Sequence, residues 1–469
     1  MSVHTPPRLV DLVGMRLLRD NDLDFSTLES LPIELFPPLF LEAFHGRRVE
    51  TLKAMVQTWP FVRLPVGALI DLPHVGRLQA ISIQVSLTRV IWRCKLRVLD
   101  LRNTGQNFWS MWSGASSYGC SSSRMAQVTE PRSMTKQHLA PLKVFIDLCL
   151  KEKTLDNFLT YFLWWVEQRK SSIHLCCKKL KIISMPMDNI VKILSMVQLG
   201  CIQEMQVSCT WNLSTLATFA PFLGEMCNLQ RLVLFPIHVV LILRTDNQTK
   251  LSPVETFCLS AVCNWHPSSQ ELIAWFLPRC LKSPLDSLSI ISCWLTESDL
   301  THLCQSPDVS QLKSLDLSGV TMTDFKPELL QVLLEKVAAT MQELDFDMCG
   351  ITDSQLEAFL PALSRCSQLR SFSLCGNLLS TAGMEKLLRH TAVLPCLRQE
   401  RYPAPQETYR PWGVLLEARL AQLRAQLLEI LRDLGRPRII WISLSPCPRC
   451  DEAVCHHMEP IIYSCPAPA

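Results

Sequence analysis

One arrangement of apolar and polar positions recurs four times without gaps. Residues 285–296 read LDSLSIISCWLT, 312–323 LKSLDLSGVTMT, 341–352 MQELDFDMCGIT and 369–380 LRSFSLCGNLLS. All fit LxxLxLxx(N/C)xLT, and their starts lie 27, 29 and 28 residues apart, within the range of leucine-rich repeats. The part around Leu312, Leu315 and Leu317 predicts a short strand whose apolar side turns into a stack. Cys293, Cys349 and Asn377 fall in the turn that follows, where a small polar or thiol group can satisfy tight backbone. Val320 is the exception and predicts one rung without that support. After each strand comes a helical stretch, such as PELLQVLLEKVAATM from Pro327, with Pro at a first-turn position and apolar residues at helical spacing.

Weaker copies extend the pattern toward the N-terminus at Leu229 (LQRLVLFPI), Ile202 (IQEMQVSCTW) and Ile173 (IHLCCKKLKI). LRVLDLRN, from Leu96, predicts an isolated early strand. The Ser-rich stretch 113–124 then predicts a mobile loop, and residues 245–265 carry no LxxLxL although the period calls for a rung. The fold class expected is α/β: a leucine-rich-repeat solenoid, curved as a horseshoe, with an N-terminal helical adaptor-docking region. Its expected divisions are 1–94, helical; 95–134, strand and loop; 135–437, the repeat array; and 438–469, a C-terminal cap with a cysteine cluster.

Composition narrows the function. The 46 basic residues nearly balance the 43 acidic ones, so no field of one sign points to nucleic acid or an anionic membrane. The 21 cysteines are odd in number, with adjacent pairs such as Cys176 and Cys177, which predicts reduced thiols and a cytoplasmic setting. The opening MSVHTPPRLVDLVG lacks the pattern of a secretory signal, and the longest uncharged apolar run, 232–243, is too short to span a bilayer. No Gly-rich phosphate loop, HExxH, GxSxG or paired-carboxylate arrangement occurs, so a binding protein and not an enzyme is expected, with no cofactor.

Taken together, MTKQHLAPLKVFIDLCLKE, LCCKKLKI, MVQLGCIQEMQVSCTW, the LSGVTMTD and ITD rungs and the closing WISLSPCPRC resemble the PRAME family of cancer-testis antigens over nearly the whole chain. The resemblance implies a leucine-rich-repeat horseshoe acting as substrate receptor of a cullin-2 RING ubiquitin ligase, with elongins B and C. It also implies repression of transcription, including damping of retinoic-acid receptor signalling, support of proliferation and resistance to apoptosis. Two tracts depart from the family pattern: 80–92 is shortened and 245–276 is rewritten.

Several local motifs bear on partners. Leu31, Pro32, Leu35 and Leu39 follow the apolar-Pro spacing of a cullin-2-docking box, with Pro32 opening a helix and the leucines on one face. Upstream, Leu17 and Phe25 resemble the anchors of an elongin C box, in which Asn21 replaces the usual Cys or Ala. The stretch LPIELFPPLF equally resembles the start of an F-box, which docks Skp1. Leu330, Leu333 and Leu334 match LxxLL, a nuclear-receptor coregulator motif that needs exposed leucines; in a repeat helix such leucines are ordinarily core. Cys447, Cys450, Cys455 and Cys465 offer four thiolates to a zinc ion, against the simpler reading of reduced structural cysteines. Lys178, Lys179 and Lys181 read either as a nuclear-import cluster or as a solvated strand edge.

Overall fold

The computed structural model describes residues 28, 30–70, 96–102, 141–151, 157–170, 172–208, 213–235, 284–293, 295–410, 414–435, 438–444 and 458–463. The chain divides into two compact units: Met1–Leu148 with Glu152–Lys179 and Asp188–Gln198, and Cys149–Lys151 with Leu180–Met187 and Leu199–Ala469. This division cuts through the expected 135–437 array.

In the first unit lie α1 (Phe36–His45), α2 (Val49–Gln57), β1 (Arg63–Pro65), α3 (Gly67–Ile70), β2 (Val98–Asp100), β3 (Leu142–Leu150), α4 (Asn157–Glu167), most of β4 (Ile173–Ile183) and most of α5 (Met187–Leu194). Strand β2, expected to be isolated, is parallel to β1 on one side and β3 on the other. β1 escaped the sequence pattern because three residues ending in Pro65 cannot display the LxxLxL spacing. The pairing stacks Leu64, Leu99 and Val144 in one buried row. At the row's end Asp100 is buried between Arg63 and Arg102. Burial opposes its charge, but the hydrogen bonds from Arg102 and then Arg63 outweigh that penalty and hold the carboxyl below its ordinary value.

The second unit carries β5 (Glu204–Ser208), α6 (Leu213–Glu225), β6 (Arg231–Leu234), β7 (Ser287–Ile290), α7 (Glu297–Gln305), β8 (Ser314–Asp316), α8 (Pro327–Val337), β9 (Glu343–Asp345), α9 (Asp353–Leu363), β10 (Ser371–Ser373), α10 (Thr381–Thr391), β11 (Gln399–Pro403), α11 (Glu417–Asp433), β12 (Arg438–Ser443) and β13 (Met458–Tyr463). It is a mixed α/β unit with a long parallel sheet: β5 to β12 pair in sequence order, each parallel to the next, and β13 closes the row antiparallel to β12. The register aligns Leu288, Leu315, Leu344 and Phe372, all buried, so the repeat spacing maps one strand onto the next. Among the described residues, β5 and β6 answer to the weaker copies at Ile202 and Leu229, and residues 113–124 and 245–276 lie outside them.

The last position of the repeat starts the helix. Thr296 caps α7, Thr352 caps α9 and Ser380 caps α10, the first two in reciprocal capping boxes with Asp299 and Gln355. In the 29-residue repeat the helix starts later, with Pro327 in its first turn. Neighbouring rungs add to this: the Lys326 amide donates to Glu297, the Ser380 amide to Asp353 and the Thr381 amide to Glu407.

The predicted turn ladder forms. Cys293 Sγ lies within reach of the Leu234 and Phe235 carbonyls in the preceding rung, either of which can take its one proton, and Cys349 Sγ donates to Leu317 O at 3.2 Å. Asn377 Nδ2 donates to Phe346 O at 2.7 Å and Leu374 O at 2.8 Å, while its Oδ1 accepts from the amides of Cys349 and Ile351. Burial pushes the Cys349 thiol far above its ordinary value, which keeps it protonated and able to donate. Val320 is fully buried and has no polar side-chain atom to contribute. One residue earlier the chain turns through positive φ, at Gly319 (73°) and Gly376 (71°) and also at Ser292 and Met348; at Gly376 a Cβ would lie 2.0 Å from Met348 Sδ, so that side chain would have to shift.

Candidate protein-docking surfaces

The N-terminal box folds as a short 3-10 turn, Ile33–Leu35, running into α1. Phe36-Pro37-Pro38 supplies the helix start, since proline is pre-set for the first turn and lacks the amide that would have no partner there. Phe36, Leu39, Phe40, Ala43 and Phe44 are buried. Trp59, itself buried, meets Phe40 edge-on at 5.2 Å and Phe36 at 6.3 Å, and its indole N–H donates to Arg63 O at 3.1 Å.

The four residues of the expected cullin-2 box are therefore not equivalent. Leu31 and Leu35 are half-buried, Pro32 is exposed and Leu39 is buried in the core. This corrects the expectation of one leucine face: the 3-10 turn ahead of α1 breaks the helical spacing, and Leu39 joins Phe36 and Phe40 inside. Ile33, which the spacing rule passed over, is half exposed beside Pro32. The expected elongin residues Leu17, Asn21 and Phe25 lie outside the described residues, as do Cys447, Cys450, Cys455 and Cys465.

The coregulator-like motif takes the core reading of a repeat helix. Leu330, Leu333 and Leu334 are buried on α8, while Val332 between them is half exposed. Positions i, i+3 and i+4 share one helix face, and here that face is the one packed into the repeat core. No leucine of the motif is presented for a receptor groove.

The second surface is the outward side of the second unit's sheet. Register places Ser289, Asp316, Asp345, Ser373, Arg401 and Trp441 in one row across β7 to β12. Three carboxylates crowd one end: Ser318 Oγ lies 2.6 Å from Asp316 Oδ1 and 2.9 Å from Asp345 Oδ1, and Asp347 accepts from Ser373 Oγ and from the Cys375 amide. A hydroxyl has one proton, so it cannot donate to both carboxylates at once. Arg401 reaches Asp345 Oδ2 at 3.1 Å. Burial first, then the charges of Asp347 and Asp316, pushes the Asp345 carboxyl up to about 6. Asp347 moves the same way, chiefly through burial, against the pull of Ser373, Cys375 and Arg401. Apolar spacing gives no hint of this row, because outward positions are free of the repeat consensus; only the register brings them together.

At the other end of the row the outer face turns apolar. Ile439 pairs with Ile462 and Trp441 with Pro460 across β12 and β13, and Ile439, Trp441 and Ile462 are 44%, 39% and 57% exposed, while Ile440, Ile442 and Ile461 fill the inner face. Strand alternation alone sorts the two sets.

These features define a mixed α/β protein with a long parallel sheet. The PRAME N-terminal domain family model matches residues 6–109 and the PRAME C-terminal domain model residues 142–465, and the chain belongs to the PRAME family. It is 47% identical to the human (Homo sapiens) PRAME family member 8 over 98% of this chain and 99% of that protein, and equally to PRAME family member 7. PRAME family member 12, also human, is 46% identical over 98% of this chain and 97% of its own length.

Proposed function

We propose that this chain is the substrate-recognition subunit of a cullin-2 RING ubiquitin ligase, with no catalysis of its own. In this reading the N-terminal segment docks elongins B and C and then cullin-2, and a leucine-rich-repeat solenoid, curved as a horseshoe, presents its sheet to protein substrates. The observation that carries it is the exposed Pro32-Ile33 edge with Leu31 and Leu35 half open beside it, ahead of a rigid aromatic core. Family membership supports the same reading. Negative regulation of transcription and apoptosis, support of proliferation, and a cytoplasmic place with access to the nucleus belong to it as consequences of which substrates are removed. A binding scaffold or corepressor without ligase partners is the second reading, favoured by the burial of Leu39, which leaves the cullin box one anchor short.

Affinity purification of the tagged full chain, with quantification of elongin B, elongin C, cullin-2 and Skp1, separates these. Leu17→Ser should lower elongin recovery by at least about tenfold, the loss of one buried anchor. Leu31→Ala with Pro32→Ala should spare elongins and weaken cullin-2. Recovery of neither adaptor with the folded wild-type chain would leave the scaffold reading; recovery of Skp1 alone would replace elongin by the F-box route.

A further inference from the structure

The outward face of the second unit's sheet joins two chemistries that each ask for an opposite partner. One end holds Asp316, Asp345 and Asp347 against a single guanidinium, that of Arg401, an excess of negative charge built into adjacent strands. The other end exposes Trp441, Ile439 and Ile462, whose aromatic and branched side chains are left on a strand face that elsewhere in this sheet carries serine and carboxylate. Trp441 is three strands from Asp345 in register. Strands lie about 4.8 Å apart, so the two ends are roughly 14 Å apart, which an extended chain crosses in about four to five residues.

We propose that the outer face of β8–β13 binds an extended basic segment of a partner protein. A Lys or Arg sits over Asp316 and Asp345, and an apolar side chain about four to five residues away sits on Trp441, Ile439 and Ile462. This deepens the substrate-receptor reading by naming the chemistry of the substrate; it rests on the protein-binding half of that reading and not on adaptor docking. Charge complementarity selects a cationic occupant over an acidic one, and the exposed tryptophan selects one that brings an apolar anchor, the side-chain type that dominates such contacts. The groups facing Asp345 are Asp316 and Ser318 from the β8 repeat, Asp347 from its own, and Arg401 from β11. A cation placed there favours the ionised cluster, so binding takes up less well as the cluster protonates.

The test uses the full-length chain and short fluorescent peptides in a Gly-Ser background carrying an Arg pair and one Phe at varied separations, read by fluorescence anisotropy. The best separation is expected at about five residues, with at least about tenfold weaker binding when Arg becomes Glu or Phe becomes Ser. Affinity should fall with added salt and be several-fold weaker at pH 5.5 than at pH 7.5. Asp345→Asn should weaken the Arg-dependent part, and Trp441→Ser the Phe-dependent part, with Trp441→Phe retaining most of it. Equal binding of the Glu peptide, no dependence on separation, or a Trp441-dependent dimer in sedimentation without peptide binding would each overturn the proposal, the last in favour of a second copy as occupant. The peptide and salt series need no variant, so a misfolded mutant leaves the test intact. Adaptor proteins are absent from this assay, so loss of the ligase reading and loss of this one are separately visible.

Discussion

The outer faces of β7–β10 and of β12–β13 sit on the same kind of buried layer and carry opposite chemistry. Inside, both present aliphatic or aromatic rows: Leu288, Leu315, Leu344 and Phe372 in one region, Ile440, Ile442 and Ile461 in the other. On the opposite side of the strands the first carries half-buried Asp316 and Asp345 with Ser289 and Ser373 buried beside them, and the second exposes Ile439, Trp441 and Ile462. Folding constrains the inner rows, because a packed interior tolerates neither voids nor unpaired charge. It leaves the outer positions free, so their chemistry is available for a partner.

The largest effect that distinguishes these layers is a charge placed on each. Leu315→Asp should destabilise the second unit by about 4 kcal/mol or more, since an unpaired carboxylate would enter a position with 1% exposure. Trp441→Asp, on the outer face, should change stability by less than about 1 kcal/mol. Chemical denaturation of both variants checks this; equal losses would dissolve the distinction between the layers.

A smaller effect tests the turn ladder that holds the rungs. Asn377→Ala removes two donated and two accepted hydrogen bonds and should cost about 3 kcal/mol, because four buried backbone groups lose their partner together. Val320→Ala at the matching position loses only buried methyl groups and should cost about 1 to 2 kcal/mol. The difference in denaturation midpoint between the two variants measures what the polar ladder adds beyond packing.

The smallest effect sharpens the outer face itself. Asp345 titrates near 6 in the fold against 3.8 ordinarily, so the native state holds its proton more tightly than the unfolded chain. The stabilisation is complete below the ordinary value and is lost as pH rises through about 6. Asp345→Asn should therefore gain on the wild type as pH rises from 4 to 7, by about 1 kcal/mol after allowance for partial solvent access and the lost Arg401 contact. Melting temperatures of the two proteins across that range check it; parallel curves would mean that the carboxylate is not under strain.

The repeat was legible at 285–380 because the same apolar spacing fills one stack position after another, and the caps Thr296, Thr352 and Ser380 stand at its last place. Cys349 and Asn377 were legible for the same reason: the turn needs a donor at a fixed place. Leu39 fits the spacing of an outward anchor and the leucines of α8 that of either a core or a docking face, because core and interface helices share these spacings and only burial separates the two uses.

Sequence alone determined which residues make strands, turns and helix starts, since those depend on local backbone needs and on side-chain polarity at short range. It determined the family as well, through motifs spread over the whole length. Tertiary structure decided that Val98–Asp100 is flanked by strands on both sides, that Asp316, Asp345 and Arg401 share one row, and that Trp441 stands at its end. These are facts of register between segments far apart in the chain. Outward positions obey no packing rule that would write such neighbours into the local pattern.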